Sequence, residues 1–422
     1  MKFNIQRLLR LQTFAALGNR NFRYLWMGQL FHAGSLWMEM IARPILVLQL
    51  TDNVVHLGMV LAVRTIPQLI LGPLAGVLAD RYSRRGLLIF SKCGAAITNF
   101  SLALVILSEP LGLPIPHVVL WHVYATSIMK SVFMAFDQPA RQSLIPTLVP
   151  PHQLLNAVAL NSSTMATMRI GGAAIAGLLI ATIGIGFTFL TSAVIFLGAV
   201  VVTLLIRIPS GSQVQRSGRS IGSDMLQGVK YAWQTPAIRS LLLLAMTYFI
   251  VGMSWMQVFA PLFATRVLGI GEAGYGFLIS VAGIGSLIGG LTVASLGQIR
   301  QRGRLLPILM GTFGLLLVLF SLSTSLPWLI APFVLVGLVG MLQTSMMSLT
   351  NGTLLELSPD ELRGRMFGLL SLDRAATTGG GVFAALLAGL AGTQVAQIIF
   401  GAIIIVAAIA WRTWSNSLRQ ID

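Results

Sequence analysis

The sequence predicts an all-α membrane protein, with twelve transmembrane helices arranged as two pseudo-symmetric six-helix bundles. Three observations lead there. The chain of 422 residues is 55% hydrophobic and only 9% charged, with a mean hydropathy of +0.84. A water-soluble domain cannot hide that much apolar surface, so the bilayer is the solvent. The apolar residues fall in runs long enough to cross a hydrocarbon core. No alternating β-barrel pattern is present, so helices must satisfy the backbone. The runs also repeat, six after six.

In order, the spans are expected at about 23–49, 57–79, 86–107, 117–138, 154–182, 187–207, 238–264, 273–297, 305–323, 327–355, 365–391 and 395–414. Ahead of them, residues 1–22 form an N-terminal segment in which Arg7, Leu8, Leu9, Arg10 and Phe14 fit a short amphipathic stretch on the membrane surface. The first run is too long, and lacks the small-residue site, for a cleaved signal peptide. Between the sixth and seventh runs, residues 208–237 start Ile208-Pro209-Ser210-Gly211-Ser212 and stay rich in Ser, Gly and Gln to Ser223. That composition is a linker. Asp224 to Trp233 place Met225, Val229 and Trp233 on one face of a short surface helix. The chain thus divides into 1–22, a first bundle at 23–207, the linker at 208–237, a second bundle at 238–414 and a tail at 415–422.

Charge orients these spans. The formal net charge is +16, which in a soluble protein would point to nucleic acid. Here the segments on the side of the two termini carry sixteen Lys and Arg, and the opposite loops carry one, Arg266. This is the positive-inside asymmetry, so both termini are expected in the cytoplasm and no nucleic-acid partner is expected. A single cysteine, Cys93, excludes an internal disulfide and a cysteine metal cluster. The five histidines are scattered, and His117 and His122, five apart, do not share a helix face, so no metal site is expected. No Gly-x-x-x-x-Gly-Lys-Ser/Thr loop is present, and no soluble stretch is large enough for a catalytic core. No cofactor and no enzymatic reaction are expected.

The halves align. Shifted by 218 residues, Trp37-Met38 falls on Trp255-Met256, Gly58 on Gly276, and Gly72 on Gly290; shifted by 208, Pro151 falls on Pro359 and Leu154 on Leu362. A parallel six-span repeat suits two bundles that rock around a midplane site. The charges are not repeated: Glu39 falls on Gln257, Arg43 on Pro261, Arg64 on Ala282 and Asp80 on Gln298.

Charges inside spans are costly and so are candidates for function. Glu39 and Arg43 are four apart on one face of span 1. With Arg64 of span 2 they lie roughly 10–15 Å below the outer ends. The group reads either as a proton-binding carboxylate tuned by arginines or as a static clamp between spans. Span 4 carries Lys130 deep and Asp137 at its inner mouth, seven apart on one face. Arg169 sits mid-span in span 5, next to Gly171-Gly172, which permit close helix approach. Asp373 and Arg374 are adjacent in span 11 and point about 100° apart; Asp373 is the second candidate for proton coupling. Trp37, Met38, Phe249, Trp255, Met256, Gln343 and Met346 supply an aromatic and methionine-rich set suited to lining a substrate path, or to ordinary packing.

Residues 76–85 read Gly76-Val77-Leu78-Ala79-Asp80-Arg81-Tyr82-Ser83-Arg84-Arg85. This resembles Gly-x-Leu-Ala-Asp-Arg-x-Gly-Arg-Arg/Lys, the mark of major facilitator superfamily transporters between spans 2 and 3, with Ser83 at the second glycine. Asp137 to Pro151 and Asn351 to Arg365 resemble the corresponding loops of the bacterial drug and siderophore exporter branch. The resemblance covers nearly the whole chain. It implies the major facilitator fold and a monomer in the inner membrane. It implies proton-coupled efflux of drugs, siderophores or other small amphipathic compounds by alternating access. Gly76, Asp80, Arg81, Arg84 and Arg85, with Asp137, Arg141, Arg363 and Arg365, become an inner-gate latch, or else a set of headgroup contacts. Exporters of this branch carry a Gly-Pro motif in span 5; Ala173 stands where the proline is usual. Three other readings remain: uptake or facilitation of a polar or anionic solute using Lys130 and Arg169, a lysophospholipid flippase, and a membrane receptor or structural protein without transport.

The second-half counterpart of the hinge has Gln298 opposite Asp80 but keeps Arg300 and Arg302. Asp80→Asn is therefore expected to abolish transport while the protein still inserts, read as lost efflux at unchanged membrane abundance; equal efflux would leave the motif a label.

Overall fold

A computed structural model describes residues 12–207, 221–296, 301–359, 362–370 and 372–415. No strand occurs among them. Helix lies at every expected span, and nine of the helices are long and apolar enough to cross a membrane. A 3-10 helix, Gln12–Gly18, precedes α1 (Arg20–Leu50), α2 (Val55–Arg81) and α3 (Arg84–Leu107). After these come α4 (Leu120–Met134), α5 (Asp137–Leu148) and α6 (Leu154–Leu204). The linker helix is α7 (Ile221–Gln234). The second half continues with α8 (Pro236–Val267), α9 (Gly271–Leu296), α10 (Arg302–Ser323) and α11 (Ile330–Leu357). It ends with α12 (Arg363–Leu370), α13 (Asp373–Ala391) and α14 (Thr393–Trp414).

Three departures from a plain span count have local causes. Span 4 ends at Met134, and Asp137 opens a separate helix, α5, so Asp137 does not continue the Lys130 face of α4. Its carboxylate sits in the first turn of α5, where it complements the positive end of the helix dipole. Span 11 is described as α12 and α13 on either side of residue 371, which lies outside the described residues, and Asp373 begins the second. α8 is not a plain α-helix: Tyr248–Gly252, Trp255–Phe259 and Phe263–Val267 are π-helical. Such bulges collect at functional sites.

Two compact units result. The first comprises residues 1–42 and 67–217; the second comprises 43–66 and 218–422. In the first unit α3 packs along α6 and α4. A core cluster of Phe22, Leu25, Leu88, Leu144, Ile145 and Ile206 closes the end of the unit where α1 and α3 begin. The 3-10 helix is docked there: Ala16 belongs to the cluster, its N–H donates to Asn156 Oδ1 at 3.0 Å, and Asn19 Nδ2 donates to Gln153 Oε1 at 2.7 Å. Residues 1–11 of the expected amphipathic stretch lie outside the described residues. In the second unit α9 packs on α11, α10 on α14 and α11, and α13 on the first π segment of α8. Residues 43–66, the facing ends of α1 and α2, seat on α13. The Thr65 and Thr378 hydroxyls hydrogen-bond at 2.7 Å, and Arg266 donates to the Asp52 carbonyl at 3.1 Å.

The repeat is visible in backbone conformation. α6 turns back at Gly184 with φ 84° and ψ 167°, and α13 turns into α14 at Gly392 with φ 83° and ψ 158°. These two positions differ by the same 208 residues as Pro151 and Pro359. The region is open essentially to glycine alone. Gly184→Ala and Gly392→Ala are each expected to cost about 1–3 kcal/mol, read by thermal unfolding in detergent; a loss at one and none at the other would break the equivalence of the two turns.

Candidate functional site: a buried polar track in the first unit

α1 carries Gln29, His32, Ser35 and Glu39 at intervals of three and four, so they form one stripe. All four are buried. An apolar helix in a bilayer holds such a stripe only if its neighbours answer it. They do. Glu39 forms a buried ion pair with Lys130 of α4. Lys130 Nζ also donates to Asn99 Oδ1 of α3 at 3.2 Å and stands 4.6 Å from the Phe196 ring centre. Asn99 Nδ2 donates to Ser192 Oγ of α6 at 2.8 Å, and Ser35 Oγ donates to the Ser192 carbonyl at 2.9 Å.

The track continues toward the inner end. The His32 ring stands edge-on to Phe196 at 5.7 Å. His32 Nδ1 lies 3.8 Å from Asp137 Oδ1. Arg141 Nε donates to Asp137 Oδ2 at 3.1 Å, and Arg141 Nη1 donates to Asn161 Oδ1 at 3.1 Å. Beside this line, Lys92 of α3 is fully buried and donates to Thr203 Oγ1 at 3.0 Å. Glu39, Lys130, His32, Asp137 and Arg141 thus form one row of charged and polarisable groups inside an apolar unit.

The other candidates divide by unit. In the first, Trp37 is buried, donates from Nε1 to the Met165 carbonyl at 3.1 Å, and has the Arg169 guanidinium 5.8 Å from its ring centre. Gly172 lets α6 approach α1 closely, since a Cβ there would meet Trp37 Cβ at 3.1 Å, whereas Gly171 faces open space. Met38 is buried. In the second unit Arg43 is buried and Arg64 half-buried, both within the 43–66 hairpin. Asp373 is half-buried at the start of α13, and Arg374 is exposed. Trp255, Phe249, Met256 and Met346 are buried, and Gln343 Nε2 contacts Met253 Sδ at 3.2 Å. Phe249 and Met346 border a void of about 10 Å³, room for one water and no more.

At the start of α3, Arg84 Nη1 donates to the Ser143 carbonyl at 2.9 Å. Arg85 donates to the Thr203 and Leu204 carbonyls at the end of α6, where a cation complements the helix dipole. Ser83, in place of the motif glycine, caps α3 by accepting from Gly86 N–H at 3.0 Å. Arg302 pairs with Glu356 at 2.6 Å, and Arg365 Nη1 donates to Gln227 Oε1 at 2.6 Å. The side chains of Gly76, Asp80, Arg81 and Arg363 lie outside the described ones.

Sequence reasoning placed Glu39 beside Arg43 and Arg64; the structure adds Lys130 as its buried partner. It passed over His32, Ser35, Lys92, Asn99, Asn161, Ser192 and Thr203. A signal existed for two of them. Lys92 is a charge about two turns into span 3, and His32 precedes Glu39 by seven residues on the same face.

The comparisons agree with this architecture. A profile of the family described as transmembrane secretion effector matches residues 11–421. Macrolide efflux protein A of Streptococcus pyogenes is 26% identical over 413 residues, covering 95% of this chain and 97% of its own. Enterobactin exporter EntS of Escherichia coli O1:K1 / APEC is 26% identical over 417 residues, covering 95% and 94%. Among solved structures, a D-xylose-proton symporter superposes with a TM-score of 0.69 at 16% identity, covering 96% of this chain and 98% of its own. A bacterial homologue of the lysosomal transporter Spinster does so with 0.69 at 13%, covering 97% and 96%. The last two speak to fold alone. With its all-helical build and its family match over almost its whole length, the chain is an integral membrane transporter that belongs to the transmembrane secretion effector family of the major facilitator superfamily.

Proposed function

We propose that the chain exports small amphipathic compounds, of the macrolide or siderophore kind, against inward proton flow by alternating access. It would do so as a monomer in the cytoplasmic (inner) membrane with both termini inside. The loop-charge asymmetry supports the orientation. The relatives' activities, macrolide efflux and enterobactin export, support the direction and the substrate class. The buried Glu39–Lys130 pair is the observation that carries the proton step.

The pair has a property that a mere clamp does not need. When a proton reaches Glu39, the carboxylate loses its charge and the attraction collapses. Lys130 is not left stranded, because Asn99 and the Phe196 face still hold the ammonium. The pair can therefore open without exposing an uncompensated charge to the apolar interior. Asp373, half-buried at the start of α13, is the second-unit candidate for the same work. The other polar residues of the track orient these groups.

Glu39→Gln in proteoliposomes is expected to abolish macrolide-driven proton release while ligand binding survives. Unchanged release in both Glu39→Gln and Asp373→Asn would remove these carboxylates from coupling. A clamp predicts a different pattern: Lys130→Met alone loses about 3–5 kcal/mol of stability, and Glu39→Met with Lys130→Met regains most of it, with coupling untouched. Uptake of a polar or anionic solute, for which Lys130 and Arg169 would serve as anion contacts, is decided by comparing inverted with right-side-out vesicles.

Alternating access also requires the 43–66 hairpin to change its contacts on α13. Thr65→Cys with Thr378→Cys, joined by an oxidant, is expected to stop transport and to recover with reductant; transport undiminished in the cross-linked protein would show that this contact does not move.

A further inference from the structure

A second site lies at the inner end of the first unit, away from the polar track. Arg20 and Tyr24 on the first turns of α1, Arg85 on the first turn of α3, and Leu204 to Arg207 at the end of α6 enclose a cavity of about 330 Å³. That is the low end of the ~300–1,000 Å³ typical of ligand pockets. Its walls carry three guanidiniums. Two of them are pre-positioned: Arg20 Nε donates to the Tyr24 hydroxyl at 3.0 Å, and its guanidinium lies 5.7 Å from the Tyr24 ring centre. Arg85 is held against the Thr203 and Leu204 carbonyls. The third, Arg207, is fixed only in its main chain, where the backbone N–H donates to Asn21 Oδ1 at 3.0 Å.

Nothing negative balances them within the segments that build the cavity. The sequence has no Asp or Glu in 1–38, in 81–108 or in 138–223. The carbonyls that end α6 are satisfied by Arg85, while α1 and α3 direct their positive ends to the same region. Arg20 and Arg207 are exposed at the rim and Arg85 is half-buried behind them, so an anion can enter from outside. Tyr24, half-buried with its ring against the apolar cluster and its hydroxyl on Arg20, is apolar in body and polar at its tip, as suits the headgroup layer.

We infer that this cavity binds a phosphate group, and specifically the phosphodiester headgroup of an anionic lipid of the inner leaflet. Basic pockets between membrane helices on the cytoplasmic side are suited to such headgroups. The leaflet assignment rests on the proposed orientation; the phosphate site itself does not, and neither depends on what the protein exports. A bound headgroup would tie α1, α3 and α6 together at the end where Arg84 and Arg85 begin α3.

The test uses purified full-length protein in detergent. Phosphatidylglycerol is expected to raise its thermal midpoint more than phosphatidylcholine does, and to be retained as a bound adduct in native mass spectra. Arg20→Gln with Arg207→Gln should weaken phosphatidylglycerol binding roughly thirtyfold, about fivefold per arginine. Arg23→Gln, exposed on α1 but outside the cavity wall, should leave it unchanged, and the Lys versions of the double variant should largely restore it. If inorganic phosphate at equal concentration reproduces the lipid's effect and displaces it, the lipid assignment falls and a free phosphate takes its place. If phosphatidylglycerol is no better than phosphatidylcholine on the unaltered protein, or if Arg23→Gln matters as much as the double variant, the site is overturned.

Discussion

In hydrocarbon there is no water to complete a hydrogen bond, so each polar group that enters it must bring or find its partner within the protein. The first unit is arranged by that demand. The stripe on α1 cannot face lipid. It turns inward and is answered by Asn99 of α3, Lys130 of α4 and Ser192 of α6. The partners found for Ser35 and Glu39 set the face of α1 that is buried there, and Gly172 lets α6 come close enough to reach it. The apolar cluster packs at the start of α1.

The same demand bears on the polar track, because a row of buried groups whose members exchange charge changes its own satisfaction. Glu39 and Asp137 stand at two points of the row, each facing a basic partner, with the Phe196 ring beside both Lys130 and His32. The row is not fully satisfied: His32 Nδ1 and Asp137 Oδ1 are buried without a hydrogen bond.

The positions of the spans were legible because bilayer crossing demands apolar length, and length is a one-dimensional property. The linker helix and the repeat were legible for similar reasons: Met225, Val229 and Trp233 keep a helical period, and Pro151 and Pro359 keep their offset. Pairing was not. Glu39 and Lys130 are 91 residues apart, and no local pattern states which of several intramembrane cations a carboxylate will meet. The break at 135–136 was hidden because apolar residues flank it. The span rule did flag Glu39, Arg43, Arg64, Lys130 and Arg169. Lys92, equally visible to it, was obscured only by its nearness to the basic hinge at 81–85.

The π segments of α8 bear on how the two halves can be compared at all. A π turn accommodates one residue more than an α turn. Three such segments lie between Tyr248 and Val267, and α1 is assigned as uninterrupted α-helix from Arg20 to Leu50. A gapless alignment that sets Glu39 opposite Gln257 keeps count along the chain but loses angle around the helix axis. Residues that match by number in α1 and α8 therefore look out in different directions. Whatever faces the interior of the second unit at the height of Glu39 must be found by azimuth and depth. Between Arg239 and Arg266, however, α8 carries no charged residue in any direction, so the missing charge in the second half is a difference of residue type.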